Sequence, residues 1–310
     1  MSAATPPSLW HQALVYRSSD ELLTCTVPFV QDGLNADEPV LVAAPPATTG
    51  PLRSALGPAA ERVRFLDMTD AGRNPGRIIP GVLHAFVSRH APGRVRIVGE
   101  PIWAGRSAAE YPACVLHEAL INLAFAETDA MILCPYDARR LAATVFADAE
   151  RTHPVIASVD GQRPSTAYAN PHAVVAAFNR PLPDPGGVPA TLVFDADDLP
   201  AVRRFIGEHA GRAGLAGNRI ADLEVSVNEV ATNAVIHGGG PGTLRIWQER
   251  GQVVCEVSDP GHLTDPLAGR IPPDPDAEHG RGLLLVNLLC DLVRVHTDAA
   301  STTVRLHMRV

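Results

Sequence analysis

Residues 180–190 read RPLPDPGGVPA, and this segment constrains the fold of the chain more than any other. Its four prolines and two adjacent glycines disfavour a helix or a strand and are typical of a linker. A chain of 310 residues has room for two domains of about 100–200 residues each. We therefore predict a first domain over residues 1–180, a linker over 181–190 and a second domain over 191–310.

Before the linker, short apolar runs alternate with helical patterns. The apolar runs of strand length are residues 39–44, 63–67, 95–99 and 130–135, followed by a shorter run at 155–159. The helical patterns are residues 20–34, 77–89, 111–126 and 137–149, followed by a short one at 172–178. Strands that alternate with helices predict a parallel sheet covered by helices on both faces, which is a three-layer α/β domain.

After the linker the order of the elements changes. Strands are predicted at residues 191–194, 242–249, 253–258, 292–297 and 302–309. Helices are predicted at residues 199–212 and 218–237, and a third begins near Arg281. This order favours an antiparallel sheet with helices on one face, which is a two-layer α+β domain.

The composition excludes several classes of function. The net charge of -8 is the opposite of the basic surface that a nucleic-acid-binding protein needs, so we expect no direct contact with nucleic acid. None of the 26 basic residues is a lysine. A P-loop needs a lysine to reach the β- and γ-phosphates, and a Schiff-base enzyme needs a lysine amine, so both are excluded.

The cysteines and the apolar runs indicate where such a chain resides. The five cysteines are scattered without a C-x-x-C pair, so their spacing indicates neither a zinc site nor a disulfide framework. No stretch reaches the roughly 18–20 apolar residues of a membrane span. Residues 1–10 lack the basic and apolar regions of a signal peptide. We therefore expect a cytoplasmic protein that makes no use of a membrane.

The predicted helix at 218–237 carries the first candidate site residues. Its apolar face is formed by Ile220, Leu223, Val227, Val230 and Ala234. A neighbouring polar stripe is formed by Ser226, Glu229, Asn233 and His237. Glu229 can hold or deprotonate a hydroxyl group or a water molecule, and the Asn233 oxygen is a suitable Mg²⁺ ligand. Taken alone, such a pair is more often a solvated helix edge.

Two glycine-containing segments follow this helix. Asp259 ends a predicted strand and can accept a hydrogen bond from an exocyclic amine, while Gly261 lets backbone approach a flat base. The other interpretation of this segment is a simple turn. Gly280 and Gly282 precede an apolar helix, where free N–H groups and the helix dipole form an anion site. A flexible hinge before a core helix is the alternative there.

The three segments occur in the order E-x-x-x-N, D-x-G and G-x-G-L, between Glu229 and Leu283. This arrangement resembles the N box and the two glycine boxes of the GHKL ATPases, which include gyrase, the heat-shock chaperone ATPase, histidine kinases and the MutL mismatch-repair protein. The phrases EVATNAVIHGG and GRGLLLVNLLCDLV look most like the branch of anti-sigma-factor serine kinases. The resemblance covers about residues 190–310 and implies the two-layer GHKL (Bergerat) fold.

The resemblance also implies roles, residue by residue. Glu229 matches the general base, Asn233 the Mg²⁺ ligand and Asp259 the acceptor for the adenine amine. Gly261 matches the glycine of close approach, and the phosphate side matches Gly280, Arg281, Gly282 and Leu283. His237 follows the N box as in this branch, with a structural or lid-contact role. The implied cofactors are ATP and Mg²⁺. One departure is the loop at 262–278, which is rich in Pro and Asp and carries little that looks like an ordered lid, and another is the absence of a phosphoacceptor-helix motif.

The first domain offers a softer candidate site. Glu100 closes a predicted strand, and ligands of open α/β sheets lie beyond the carboxyl ends of strands. We predict a sensory pocket made by His11, Tyr16, Glu100, Trp103 and Glu118. The alternative is that Trp103 packs against a loop and Glu100 caps a helix. Residues 11–180 resemble the MEDS-type sensory domain, a RecA/KaiC-like α/β fold, and without a P-loop lysine this domain is not expected to hydrolyse ATP.

These predictions favour a cytoplasmic signalling regulator. In the first hypothesis, an unknown ligand of the sensory domain controls an ATP-binding anti-sigma factor that is also a serine/threonine kinase. The implied partners are a sigma factor, a STAS-type anti-anti-sigma protein, or both, and formation of a homodimer is left open. A non-catalytic, ATP-dependent protein-binding module needs the same pocket. An atypical sensor histidine kinase is the weakest hypothesis, because the sequence after His117 lacks the Arg-x-Pro of a phosphoacceptor helix.

Overall fold

The computed structural model describes residues 9–273 and 280–310 and divides the chain into two units, Met1–Ala176 and Ala177–Val310. The predicted linker at 181–190 falls within the second unit, and its role as the domain boundary stays a prediction. The absence of a signal peptide concerns residues that lie mostly outside the described part, as do residues 274–278 of the predicted loop. Among the described residues, no helix combines the length and the apolar character that crossing a bilayer requires.

The described part of the first unit contains a seven-stranded sheet with the order β3-β2-β4-β5-β1-β6-β7. Its strands are β1 (Trp10–Tyr16), β2 (Val40–Ala44), β3 (Val63–Asp67), β4 (Val95–Gly99), β5 (Ala130–Asp137), β6 (Val155–Ser158) and β7 (Gly161–Pro164). All neighbouring pairs are parallel except β6 and β7. The predicted parallel α/β architecture is confirmed. The pattern missed β1, since His11 and Gln12 follow Trp10 and interrupt the apolar run of WHQALVY.

The helices of the first unit connect these strands. They are α1 (Ser19–Asn35), α2 (Pro46–Leu56), α3 (Met68–Ala71), α4 (Pro75–Ile78), α5 (Ala85–His90), α6 (Tyr111–Ala124), α7 (Ala143–Thr152) and α8 (Pro171–Phe178), the last of which reaches the start of the second unit. A 3-10 helix over Gly57–Arg62 precedes β3.

Two helix predictions in this unit were wrong. The helix predicted at 77–89 is interrupted by a π-helical turn over Ile79–His84, because Pro80 lacks the N–H group that continues the helical ladder. The helix predicted at 137–149 begins only at Ala143. The Asp137 side chain instead accepts a hydrogen bond from the Arg139 N–H group at 2.9 Å, which forms a turn directly after β5.

Strand β1 runs through the middle of the sheet and presents its side chains alternately to the two faces. Leu14 and Tyr16 point to the face where α1 packs and join the apolar core there with Phe29 and Val30. His11 lies three residues before Leu14 and five before Tyr16, so its side chain points to the opposite face. There its ring contacts Glu118 of α6. This alternation separates two of the residues that were predicted to share a pocket.

The second unit contains a five-stranded sheet with the order β11-β12-β10-β9-β8. The strands are β8 (Ala190–Phe194), β9 (Gly242–Glu249), β10 (Gln252–Asp259), β11 (Leu292–Thr297) and β12 (Thr302–Arg309). The helices are α9 (Leu199–Arg212), α10 (Gly217–His237) and α11 (Arg281–Leu289). Every strand pair is antiparallel, so the predicted two-layer α+β fold is confirmed.

The core of the second unit lies between this sheet and its helices. The predicted apolar face of α10 is confirmed, since Leu223, Val227, Val230 and Ala234 are buried in this core and Ile220 packs at its margin. Burying each large apolar side chain stabilises the fold by roughly 1.5–3 kcal/mol. Ser226 was predicted on the polar stripe but is fully buried. It lies within the apolar arc, and its hydroxyl donates to the Asp222 carbonyl at 2.7 Å, which satisfies its polar group.

Candidate functional site

Helix α10 places three predicted site residues along one side of the second unit. Glu229, Asn233 and His237 follow each other at four-residue steps, so their side chains line one edge of the helix. Glu229 and Asn233 are half-buried, whereas His237 is exposed at the last residue of the helix. The acid and the amide therefore stand beside the core while remaining accessible.

The start of α11 lies directly against this acid and amide. A Cβ atom added to Gly282 would fall 2.8 Å from Glu229 Oε2 and 3.5 Å from Asn233 Nδ2. Gly280 precedes the helix at φ +98, a conformation that favours glycine. Among the described residues no side chain caps the N-terminus of α11. Its first N–H groups and the helix dipole can therefore attract an anion beside Glu229 and Asn233.

The end of β10 meets the C-terminus of α10. The Gly261 N–H group donates to Asp259 Oδ1 at 2.8 Å, which is the turn geometry that the alternative interpretation expected. The same turn is packed closely against α10, since a Cβ atom on Gly261 would fall 2.8 Å from Gly238 Cα and 2.9 Å from the His237 carbonyl oxygen. A turn and a site of close approach are thus the same structure here.

The Asp259 carboxyl group is in a partly desolvated environment. Burial raises its pKa above the ordinary value, while the Gly261 N–H group and the charge of His237 oppose that shift. The Thr302 hydroxyl donates to the Gly261 carbonyl at 3.0 Å and fixes the far side of the turn. The Asp259 carboxyl group is fixed by its hydrogen bond from the Gly261 N–H group, and it can accept a further hydrogen bond from a neutral amine.

The remaining predicted residues, Arg281 and Leu283, lie in the first turn of α11. Arg281 is exposed, and Leu283 packs at the margin of the core. Gly269 lies against Leu283, and the Asn287 amide donates to the Gly269 carbonyl at 3.0 Å. The loop predicted to lack order therefore rests on α11 through contacts at Gly269, within its described part.

The sequence interpretation missed Arg270 in that same segment. Its Nη1 atom is buried and has no hydrogen-bond partner among the described residues. Burial lowers the pKa of Arg270 to about 10, because a low-dielectric environment disfavours the charged guanidinium. An arginine surrounded by a Pro- and Gly-rich sequence offers no pattern from which its burial can be predicted.

The five residues of the predicted sensory pocket lie in three separate environments of the first unit. His11 and Glu118 are in contact, with His11 Nε2 3.3 Å from Glu118 Oε2. Tyr16 lies on the other face of β1. Trp103 is half-buried and stacks on the Arg106 guanidinium, whose carbon lies 3.8 Å from the ring centroid, as the loop-packing alternative expected.

Glu100 belongs with Tyr16 at the carboxyl end of the strands. The Thr48 hydroxyl donates to Glu100 Oε2 at 2.5 Å. Burial raises the pKa of Glu100 to about 7, and the hydrogen bond from Thr48 opposes that shift. Burial and the charge of Glu100 also raise the pKa of Tyr16. The structure therefore divides the five predicted residues into His11 with Glu118, Tyr16 with Glu100, and Trp103 by itself, and the Tyr16–Glu100 pair lies at the strand ends.

The group around Glu118 contains residues that sequence reasoning did not find. Glu118 Oε1 accepts a hydrogen bond from the Tyr136 hydroxyl at 3.0 Å. Glu118 Oε2 lies 3.5 Å from Cys134 Sγ and 3.5 Å from His153 Nε2. These residues are far apart in the sequence, and only the pairing of β1 with β5 and β6 brings them together.

The first unit also has an open cleft of about 400 Å³ between the end of β1, α7 and the β6–β7 hairpin. The residues that line the cleft include Val15, Arg17, Phe146, Glu150 and Arg163. None of the five predicted pocket residues is among those that line it. The ligand of a sensory domain therefore stays a matter for experiment.

Two protein families match the chain. Residues 10–154 match the MEDS family, described as the methanogen/methylotroph, DcmR sensory domain. Residues 192–308 match the family described as the histidine kinase-like ATPase domain. Both resemblances drawn from the sequence are confirmed, and both family matches fall within the units described above.

One curated relative and two solved structures are similar to parts of the chain. The serine-protein kinase RsbW of Halalkalibacterium halodurans is 28% identical over 129 residues, which cover 37% of this chain and 78% of that protein. The structure of the RsbU and RsbW domains of a Mycobacterium tuberculosis protein is 22% identical with a TM-score of 0.31, covering 40% of this chain and 32% of the other. The Acinetobacter baumannii histidine kinase AdeS is 10% identical with a TM-score of 0.23, covering 39% and 67%.

Proposed function

Because the chain carries a MEDS domain followed by a histidine kinase-like ATPase domain, we propose that it is an ATP-dependent regulator that phosphorylates a serine or threonine of a partner protein. The observation that carries this proposal is the contact of Gly282 with Glu229 and Asn233. It sets an anion-attracting helix start beside a carboxylate and an amide, which are the groups that phosphoryl transfer needs. The similarity to a serine-protein kinase supports the choice of acceptor.

In this proposal the nucleotide lies along the edge of α10. Asp259 accepts a hydrogen bond from the adenine amine, and Gly261 leaves room for the base. Asn233 holds Mg²⁺ together with the phosphates, since this ion prefers few protein ligands plus phosphate and water. Gly280 and Gly282 keep the start of α11 open to the phosphates, and Arg281 adds positive charge.

Transfer then depends on Glu229. Its carboxylate would accept the hydrogen bond of the attacking hydroxyl group and take up its proton as the oxygen bonds to the γ-phosphorus, while the bond from that phosphorus to the β–γ bridging oxygen breaks and ADP leaves. The rest of catalysis is positioning and neutralisation of charge by Mg²⁺ and the N-terminus of α11. His237, exposed at the end of α10, has a structural or lid-contact role.

The proposed partners follow from the sequence resemblance to the anti-sigma-factor serine kinases, and the similarity to the serine-protein kinase RsbW supports them. A sigma factor would be bound and held inactive, and a STAS-type anti-anti-sigma protein would be the substrate. The MEDS domain would control the balance between them through a ligand that is still unidentified. Autophosphorylation on histidine receives no support from His117, because this residue is only 1% exposed.

The experiment incubates the purified full chain with γ-labelled ATP, Mg²⁺ and a candidate STAS protein. We expect acid-stable label on the partner. Glu229→Ala should abolish transfer and leave ATP binding largely intact, because the side chain acts on the hydroxyl group rather than on the nucleotide. Glu224→Ala is the matched control, since Glu224 lies on the same helix but contacts Gly207 of α9.

Three results would speak against the proposal. Equal transfer by the Glu229→Ala variant would remove that residue from catalysis. ATP-dependent binding of the partner without label would favour the non-catalytic binding module. Acid-labile label on the chain itself would favour a histidine kinase.

A further inference from the structure

Four side chains of the first unit converge at one fully buried point. His11 comes from β1, Glu118 from α6, Cys134 from β5, and His153 follows the last residue of α7. None of these residues is more than 2% exposed. One nitrogen, oxygen or sulfur atom from each lies within 4.8 Å of all the others. We propose that these four side chains bind one Zn²⁺ ion as a closed structural site.

Four of the six distances between these atoms fit the edges of a metal tetrahedron, and the other two, from His153 to His11 and to Cys134, are no longer than 4.8 Å. With Zn–N and Zn–O bonds of about 2.1 Å and a Zn–S bond of about 2.3 Å, the edges are about 3.4 Å between nitrogen and oxygen and about 3.6 Å where sulfur is involved. Glu118 Oε2 lies 3.3 Å from His11 Nε2 and 3.5 Å from His153 Nε2. Cys134 Sγ lies 3.6 Å from His11 Nε2 and 3.5 Å from Glu118 Oε2.

The same distances are long for ion pairs between the side chains themselves. A hydrogen bond between an imidazolium and a carboxylate spans about 2.7–2.9 Å. Neither histidine approaches Glu118 that closely. The spacing leaves room for a cation, and the two atoms that lie furthest apart, at up to 4.8 Å, would draw together as the ion binds.

The tautomer of His11 is fixed by its outer neighbour. The Asn122 amide nitrogen faces the carbonyl oxygens of Glu118, Ala119 and Thr152, so it must be the donor end of that side chain. Asn122 Oδ1 therefore accepts from His11 Nδ1, at 3.1 Å. A neutral His11 then carries its lone pair on Nε2, the atom that faces the cluster.

His153 is held in the same way. Its Nδ1 atom lies 2.9 Å from the Ala149 carbonyl oxygen, which can only accept. Its Nε2 atom is buried and has no hydrogen-bond partner among the described residues. An N–H group bound to a backbone or side-chain oxygen is the usual outer support of a metal-binding histidine. Two inward lone pairs beside a carboxylate repel each other unless a cation lies among them.

The charge and the chemistry of the donor set select zinc. Nitrogen, oxygen and sulfur donors together suit a borderline-soft ion in tetrahedral geometry. Binding would take Cys134 as a thiolate and release its proton to solvent. The thiolate and the Glu118 carboxylate then balance the two positive charges, so the buried complex is neutral.

The site is structural because it has no open position. Four protein ligands complete a tetrahedron, whereas a catalytic zinc keeps one position for water. The ion would join β1 and β5 in the middle of the sheet to α6 above them. The role therefore lies in holding the MEDS domain together, independently of the proposed kinase activity in the second unit.

The experiment uses the full chain, unfolded and refolded with Zn²⁺ alone, desalted, and measured by elemental analysis. We expect about one Zn²⁺ per chain that survives desalting. Refolding with Co²⁺ should give the visible bands of a tetrahedral site and a sulfur-to-cobalt absorption in the near ultraviolet. This spectrum needs no variant, so it tests the site even if substitutions impair folding.

Cys134→Ser and Cys114→Ser form a matched pair, since Cys114 is also fully buried in this unit but lies outside the cluster. We expect Cys134→Ser to lose the sulfur-to-cobalt band and most of the bound metal, and Cys114→Ser to keep both. A folded wild-type chain that retains no metal would overturn the proposal. So would equal metal content and equal spectra in the two variants, which would indicate adventitious binding.

Discussion

Two helices of this chain each hold a glutamate beside a group of polar side chains, and the two groups differ in their access to solvent. Glu118 of α6 is completely buried, and the polar atoms around it come from elements far apart in the sequence. Glu229 of α10 is half-buried and faces the exposed start of α11. The group around Glu118, which we call the closed centre, is surrounded by protein on all sides. The group around Glu229, which we call the open centre, faces solvent on one side.

The difference in solvent access indicates what each centre can bind: a buried centre suits a permanently bound ion, and an accessible centre suits a ligand that exchanges with solvent. A charge in a fully buried place must be balanced there permanently, because water cannot stabilise it. A half-buried carboxylate and amide can remain solvated until a ligand arrives. In the two proposals, the metal at the closed centre would be part of the fold, whereas the nucleotide at the open centre would bind according to its concentration and stabilise the protein only by mass action.

The largest effect on nucleotide affinity at the open centre should follow from Asn233→Ala. Loss of the proposed Mg²⁺ ligand removes a contact to a charged group, which contributes about 1.5–3 kcal/mol. Affinity for ATP in the presence of Mg²⁺ should fall by roughly 10–150-fold, measured by calorimetry with Mg²⁺ and with a chelator. The metal content of the first unit should not change.

The control for this variant is Asn218→Ala, an exposed asparagine at the start of the same helix. It should bind Mg²⁺ and ATP like the unaltered chain. Unchanged affinity in Asn233→Ala would show that Mg²⁺ is held by other residues. The open centre would then lack the exchangeable ion that distinguishes it from the closed centre.

A smaller effect is expected from Gly282→Ala. The added Cβ atom would lie 2.8 Å from Glu229 Oε2, so the flexible carboxylate must move. Since a displacement of about 1 Å can cost about 100-fold in rate and this side chain can partly readjust, we expect transfer to fall about tenfold. Nucleotide affinity should change less, as shown by comparing transfer rates with calorimetry.

Gly217→Ala is the matched glycine control, because Gly217 is the first residue of α10 and a Cβ atom there meets nothing within 4 Å. Equal rates in the two variants would mean that the start of α11 does not position Glu229.

The smallest effect concerns Asp259 and pH. Burial raises the pKa of this carboxyl group, so it takes up a proton at a higher pH than an ordinary aspartate at about 3.9. Affinity for ATP should therefore begin to fall on acidification before an exposed aspartate would protonate. Asp259→Asn should lower affinity by roughly 2–10-fold at neutral pH, as for the loss of one neutral hydrogen bond.

Titration of the phosphates lowers affinity in both proteins, so the measurement is the ratio of the two affinities across the acidic range. The ratio should approach one as the pH falls. If the ratio of the two affinities stayed constant with pH, the charge of Asp259 would play no part in binding adenine.

The sequence was informative about the open centre because its residues are local. Each of its segments lies within one helix or at the end of one helix or strand, and the spacing within a segment already determines which side chains are neighbours. The apolar face of α10 follows from its periodicity, with only Ser226 misplaced. What could not be predicted was the burial of Arg270, which depends on packing of a segment that has no periodicity.

The closed centre could not be predicted for the opposite reason. His11, Glu118, Cys134 and His153 meet only through strand order, and no spacing rule connects them. Recognition of β1 as a strand would have separated His11 from Tyr16, since residues five apart on a strand face opposite ways. It would not have shown that β5 and β6 are the neighbours of β1.

The position of β1 has a consequence for the order in which the chain folds during synthesis. Trp10 pairs with Met131, and Gln12 pairs with Val155. Among the strands that the structure describes, β1 comes first, and its two neighbours in the sheet follow only after more than a hundred further residues have been synthesised. At about 5–20 residues per second this is a delay of several seconds or more. We expect the nascent first unit to present β1 to chaperones during that interval, and to complete its sheet only when β6 emerges.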